Sequence, residues 1–418
     1  MEFQISTKAK KTIFGVIGVG LLAFIIGIVQ HSADASFGTR LMSNFLIDGF
    51  FFFAIALGAL FFLALQYATE TGWSVAVKRV VEGVASYVLV GIGILVAIFL
   101  VLTFTDGGFF GQETLNNSSG HIVNTGHIYQ WMDPAYTDIE SHSYDPIIAN
   151  KAPFLTKSFF WVVSIIYFAT YFLFYKGFRK RSLAEDLEGG TKIHFKNFSK
   201  GALFLVLFGY FSSTSSWHWI MSIDAHWFST LYGWYVFGGM WCTAMTTILL
   251  VVLYLKKKGH LQQVNDSHIH DIGKWIFATS FLWSYLFFSQ FMLYWYADIP
   301  EEVIYYVERI SDYPYIFWGM FMINFIIPML ILMSADAKRN AGILMFVCFA
   351  IIIGHWTDVY MLITPGSMHE HGTIGFMEIG LFLTFAGIFT YFVLNTLTKA
   401  PLMPKNHPYL DESKHHHI

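Results

Sequence analysis

Apolar residues fall along this chain in ten long continuous runs, at about 12–30, 45–68, 84–105, 158–177, 200–222, 230–255, 272–297, 314–333, 340–363 and 374–397. Each comes close to the ~20 residues that a helix needs to cross a hydrocarbon core of about 30 Å. The runs are continuous, without the apolar/polar alternation of barrel strands, so the predicted spanning element is the helix. The pattern therefore predicts an all-α integral membrane protein of ten transmembrane helices.

Lys and Arg give the orientation. The N-terminus, the connections near 69–83, 176–200, 256–274 and 334–340, and the tail after 398 hold 21 of the 25; the alternate connections hold four. Both termini are expected on the cytoplasmic side. Segments 31–44, 106–157, 223–229, 298–313 and 364–373 then face the positive side, the periplasm if the membrane is a bacterial inner membrane. The first run follows Lys8, Lys10 and Lys11 and lacks a small-residue cleavage pattern, so it is expected to be retained.

Composition adds exclusions. Hydrophobic residues make up 55%, charged residues 13%, and the mean hydropathy is +0.53. A net charge of −3 with no basic recognition element gives nucleic acid no purchase. Cys242 and Cys348 both lie in apolar runs and no CxxCH occurs, so covalent haem and thiolate clusters are not expected in this chain. There is no phosphate-binding glycine loop, HExxH motif or nucleophile elbow.

Outside the membrane, 106–157 is long and rich in Gly, Asn, Ser, Pro and aromatics, and is expected to cap one face. Residues 298–313 read as a short interfacial helix, and 175–190 as a solvated connection. The tail, 398–418, reads as a polar end without assigned function, its terminal "KHHHI" included. "HW" occurs at His218–Trp219 and at His355–Trp356, near corresponding ends of the fifth and ninth helices, which suggests two related four-helix bundles.

Ionisable groups at membrane depth are costly and tend to mark interiors or wet cavities. Here they gather toward the positive side: His31, Asp48, His218, Asp224, His226, Gln290, His355, Asp358 and Glu378 form the candidate quinone or proton-pathway set, with Tyr294 and Asp298 nearby. His355 and Asp358 are three apart and share a helix face, an arrangement suited to accepting a proton from a quinol hydroxyl or passing it outward. Interfacial anchoring by His, Trp and Tyr is the competing explanation, and it suits Asp358 and Glu378 least because they lie inside their spans. A haem held by two of His31, His218 and His355 is a further option. Toward the cytoplasmic ends only Gln66, Glu82 and Asn395 stand out, and Asn324 reads as an interhelical hydrogen bond.

Three blocks carry a resemblance: "SWHWIMSIDAHWFSTLYGWYVF" at 216–237, "FFSQFMLYWYADIPEE" at 287–302 and "GHWTDVYMLITP" at 354–365. With ten helices and both ends inside, the chain resembles the polysulfide reductase/NrfD-like family of membrane subunits, and within it the smaller of the two such subunits of alternative complex III. The resemblance implies two four-helix bundles plus two peripheral helices, in a respiratory complex that oxidises menaquinol and reduces a cytochrome c or an oxidase. It implies partners as well: a second, larger NrfD-like subunit, an iron–sulfur subunit, multihaem and monohaem cytochrome c subunits, and a terminal oxidase. Haem c and iron–sulfur clusters would belong to those partners, with menaquinone the only cofactor expected here. A purely structural docking platform and a secondary transporter are the alternatives; against transport, only Pro328 interrupts a span, where a pair of broken helices would be expected.

Overall fold

A bilayer cannot hydrogen-bond a bare backbone, and each apolar run is accordingly a helix in the computed structural model, which describes residues 3–34, 36–107, 114–116, 122–124 and 127–417. In chain order these are α1 (Thr7–His31), α2 (Phe37–Ala68), α3 (Lys78–Ala85) continuing into α4 (Val88–Phe104), α5 (Pro146–Asn150), α6 (Lys157–Glu188), α7 (Lys192–Trp219), α8 (Tyr232–Lys257), α9 (Asp266–Ala297), α10 (Pro300–Asp312), α11 (Pro314–Phe321), α12 (Ile327–Ile331), α13 (Ala341–Met368), α14 (Phe376–Leu397) and α15 (Leu410–Lys414). Among the described residues nine helical stretches are long and apolar enough to cross a membrane. The run expected at 200–222 is also helical, as α7, but its last turns read "SSTSSWHW", too polar for the same standard. It nonetheless packs between α2, α6 and α8.

Helix α2 is the hub, buried along nearly its whole length and in contact with α4, α7, α8, α13 and α14. Helix α9 packs on α8, and α11 on α13. Helices α1 and α14 pair along their lengths through small residues: a Cβ added to Gly380 would lie 2.3 Å from the Phe24 nitrogen, so only glycine allows this approach.

Local chemistry explains the ends and the interruptions. Asn340 caps α13 by accepting from the N–H groups of Gly342 (2.9 Å) and Ile343 (3.2 Å), and Gly189 ends α6 at φ +67°. The eighth run is broken into α11, a π-helical turn Met322–Ile326 and α12, just ahead of Pro328. Asn324 in that turn is buried with neither side-chain polar atom bonded, so the interhelical bond expected of it is not formed.

Of the long loop 106–157, residues 108–113, 117–121 and 125–126 lie outside the described residues. A short antiparallel pair, β1 (Thr114–Asn116) with β2 (Ile122–Asn124), and the buried Ile128, Tyr129, Trp131 and Met132 are described. The expected interfacial helix is α10, with Tyr305, Tyr306 and Arg309 turned inward. The tail differs from its reading as a loose end. It returns over the helix ends, where Asn406 donates to the Asp186 carbonyl (2.8 Å), Ser413 bridges the Trp73 carbonyl and the Ala76 N–H, and His416 Nε2 lies 2.6 Å from Asp271.

Candidate functional site

The nine candidate residues separate into three groups. The first is built on α8, α9 and α13. Asp358 is 4% exposed; its Oδ1 accepts from the Tyr235 hydroxyl and its Oδ2 from Trp283 Nε1 at 2.9 Å. One helical turn away, His355 Nδ1 stands 3.5 Å from Oδ2, and the ring also interacts with the Cys242 thiol. Gly239 makes the room: a Cβ there would sit 3.2 Å from His355 Nδ1. Asp358 is thus a carboxylate in the protein interior whose two hydrogen-bond donors are both neutral.

Tyr235 also borders a cavity of about 20 Å³ shared with Gln290, Tyr305, Tyr306 and Arg309, and the Gln290 carbonyl oxygen is buried without a partner. A water needs roughly 10–15 Å³ in this measure, so the space holds one. Arg309 forms the far wall. Its Nη2 donates to Asp224 at 2.8 Å, its Nη1 to the Tyr305 carbonyl at 3.0 Å and its Nε to the Met361 carbonyl at 3.1 Å. That last acceptor is free because Pro365, four residues on within α13, has no N–H to bond it. The guanidinium lies 3.4 Å from the centre of the Tyr305 ring, which stacks on Trp227 at 3.8 Å. Burial acts to lower the Arg309 pKa, but Tyr305 and Asp224 hold it raised. Beside them Glu308 is pushed up to about 7, by burial first and then by Asp224. Asp224 is only partly buried, so His355, Asp358, Gln290 and Asp224 form one polar file reaching toward the surface.

The second group lies where α1, α2 and α14 meet. Glu378 accepts from Arg40 Nε (2.8 Å), Asn44 Nδ2 (2.9 Å) and the Gly375 N–H (2.7 Å). Arg40 also reaches the Thr373 carbonyl and hydroxyl, both at 2.9 Å, and stands 3.3 Å from His31, which pairs with Asp34. Asp48, fully enclosed, accepts from Trp356 Nε1 at 2.8 Å. The third group belongs to the cap. His226 pairs at 2.6 Å with Asp145, whose carboxyl is raised by burial but held low overall by His226 and by the N–H groups of Ile148 and Ile147. His218 bonds the Thr214 carbonyl and packs on Phe154, its ring centres 4.2 Å apart. Tyr129 donates to the Trp219 carbonyl, Trp131 to that of Ser222 (3.1 Å) and Lys151 to that of Ala225 (2.6 Å).

This separation bears on the haem option. His31, His218 and His355 each have their own surroundings, and no hydrogen bond or ring contact joins any two of them. The "HW" pairs also face differently: Trp219 fills the core between Phe53, Phe99 and Phe168, whereas at the second site His355 turns inward and Trp356 reaches across to Asp48.

At the opposite end, Glu185, His194 and His407 are the one group among the described residues with the makings of a metal site, their ligand atoms lying within 4.8 Å of one another. The chemistry disfavours a cation. Lys78 already donates to Glu185 (2.9 Å), and His407 Nδ1 accepts from the Tyr409 N–H (3.2 Å), which leaves its proton on Nε2. These residues fit a hydrogen-bonded network better than a metal.

Sequence reasoning passed over Arg40, Arg309, Tyr235 and Trp283. A signal for the arginines existed. Only four Lys or Arg lie in the connections expected on the positive side, and an isolated one beside an apolar run needs a carboxylate partner, which Glu378 and Asp224 supply. No family model matches this chain, and no curated protein matches it.

Proposed function

We propose that this chain is a membrane subunit of a quinol-oxidising respiratory complex of the polysulfide reductase/NrfD-like type, in which it passes protons toward the positive side. The observation that carries this reading is the file from His355 and Asp358 through Tyr235 and the one-water cavity to Arg309 and Asp224. A buried carboxylate with neutral donors can gain and lose a proton without stranding a partner charge.

The size of the cavity favours one of two versions of the idea. Small-molecule pockets run to roughly 300–1,000 Å³. The ~20 Å³ beside Gln290 is too small for a naphthoquinone ring, so in this reading the file itself carries protons and does not seat the quinol. The resemblance places the electron carriers, haem c and iron–sulfur clusters, in partners. The same reading puts the chain in a bacterial inner membrane with ten spans and both termini cytoplasmic. Helices α2, α4, α6 and α7 would form one bundle, α8, α9, α11–α12 and α13 the other, and α1 and α14 the periphery.

Asp358→Asn in the assembled complex is the test. Loss of quinol-dependent turnover or of its coupled proton release, with all subunits present, supports the proposal; wild-type values for both refute it. A docking platform is the second reading, favoured by the bonds from Tyr129, Trp131 and Lys151 that lock the cap onto the turn after α7. It predicts a silent Asp358→Asn and loss of assembly when 127–157 is deleted.

A further inference from the structure

The largest cavity described is remote from that site. It is a slot of about 660 Å³ between α1, α2, α8, α13 and α14, with walls that include Phe52, Ile352, Ile353, Phe382, Ala386 and Phe389. Thr12, Thr247, Thr390 and Tyr254 are its only polar walls apart from two lysines, Lys8 and Lys258. Both lysines lie at one end. Lys8 opens α1, Lys258 follows the last turn of α8, and Phe3 packs edge-on against His260, tying those two chain segments together.

Three features define an occupant. The first is depth: the slot follows α8 from Thr247 to Lys258 and α14 from Phe382 to Leu394. At 1.5 Å per residue that is about 16–18 Å, close to the ~15 Å of a single leaflet. The second is charge. Lys8 and Lys258 are exposed, neither pairs with a carboxylate among the described residues, and Lys10, Lys11 and Lys257 stand close in sequence. The third is the wall chemistry, which offers an acyl chain dispersion contacts and offers a polar ring nothing directional.

We propose that this slot binds one anionic phospholipid, with an acyl chain between α8, α13 and α14 and its phosphate between Lys8 and Lys258. An apolar slot alone would take any lipid; the unpaired lysines at its mouth select a negative headgroup. A free phosphate would use the lysines and leave the slot empty. An isoprenoid quinone would use the slot and ignore the lysines.

The test is native mass spectrometry of the full-length chain in mild detergent, titrated with phosphatidylglycerol, phosphatidylcholine and menaquinone. One phosphatidylglycerol should be retained over phosphatidylcholine by about tenfold, and Lys8→Gln with Lys258→Gln should abolish that preference. Ile353→Trp, which fills the slot and keeps the lysines, should abolish retention itself. Retention unchanged by Ile353→Trp would mean surface electrostatics only and overturn the proposal. So would equal retention of the two phospholipids, or menaquinone displacing both.

Discussion

Two buried carboxylates, one toward each end of the helices, are held in opposite ways. Asp358, toward the end of the helices that carries the cap, accepts from a tryptophan and a tyrosine, with His355 close by. Glu82, on α3 at the other end, accepts from Arg79 (2.9 Å), Arg179 and Ser182 (2.5 Å), while Arg79 also pairs with Asp186 (2.5 Å) and Lys78 with Glu185 (2.9 Å). Neutral donors leave the charge of Asp358 free to change. Two guanidinium groups fix that of Glu82, because protonating it would leave Arg179 without its carboxylate and Arg79 with Asp186 alone. The first arrangement places no guanidinium or ammonium group on the carboxylate, whereas the second fastens α3 to α6.

The sharpest way to break this contrast is Glu82→Leu. It leaves Arg79 and Arg179 buried beside an apolar side chain, and breaking such a pair costs about 3–5 kcal/mol. Yield of monodisperse protein and its unfolding midpoint in detergent should both fall steeply. A fold of normal stability with slowed turnover would show instead that Glu82 carries protons and that the two ends work alike.

Next in size is Tyr235→Phe. The lost hydrogen bond costs about 1 kcal/mol, which the fold should survive. Removing the only described link between Asp358 and the one-water cavity should cut proton-coupled turnover by about tenfold or more, since positioned proton transfer contributes roughly 10²–10⁴. Trp283→Phe removes the other donor but no link to the cavity. It should cost similar stability and much less turnover; equal losses in the two variants would dismiss the file as a route.

How much of this could be read from the chain varies by element. The nine apolar spans found among the described residues were legible because apolar length is a local property, and α10 because Pro300 opens a short segment with Tyr305, Tyr306 and Arg309 on one side. His355 with Asp358 was legible because a spacing of three on a helix needs no tertiary knowledge. The basic cluster was not. Lys78, Arg79 and Arg179 sit in segments whose charge reads as solvated and topogenic, and only the fold brings α3 against α6, where each meets a carboxylate. His226 misled for the mirror reason: it lies in the most suggestive stretch of sequence, yet is half-exposed and serves the cap through Asp145.

The tail offers a pH test of the fixed-charge end. His407 is pushed down to about 2, by burial first and then by Lys78, His194 and Arg79. A free histidine titrates near 6.5, so the docked tail excludes a proton that the released tail accepts. Docking is therefore at full strength above about pH 6.5 and weakens by about 1.4 kcal/mol for each unit below it. Tryptic cleavage at Lys405 and Lys414 should accelerate between pH 6.5 and 5.5 in the wild type. In His407→Phe, which cannot be protonated, that acceleration should vanish.

The smallest effect concerns the cap. Trp131→Phe deletes the 3.1 Å bond to the Ser222 carbonyl but keeps an aromatic ring against Phe160. Tyr129 and Lys151 still hold the same turn, so the loss should be about 0.5–1.5 kcal/mol, read as faster amide exchange over 127–136 with turnover unchanged. That outcome would keep the cap and the polar file separate: the cap grips the turn through backbone carbonyls at 219, 222 and 225, whereas the file meets that turn at the Asp224 side chain and at Trp227, which stacks on Tyr305. A turnover defect as large as that of Tyr235→Phe would mean that the cap positions Asp224, and the two regions would then act as one.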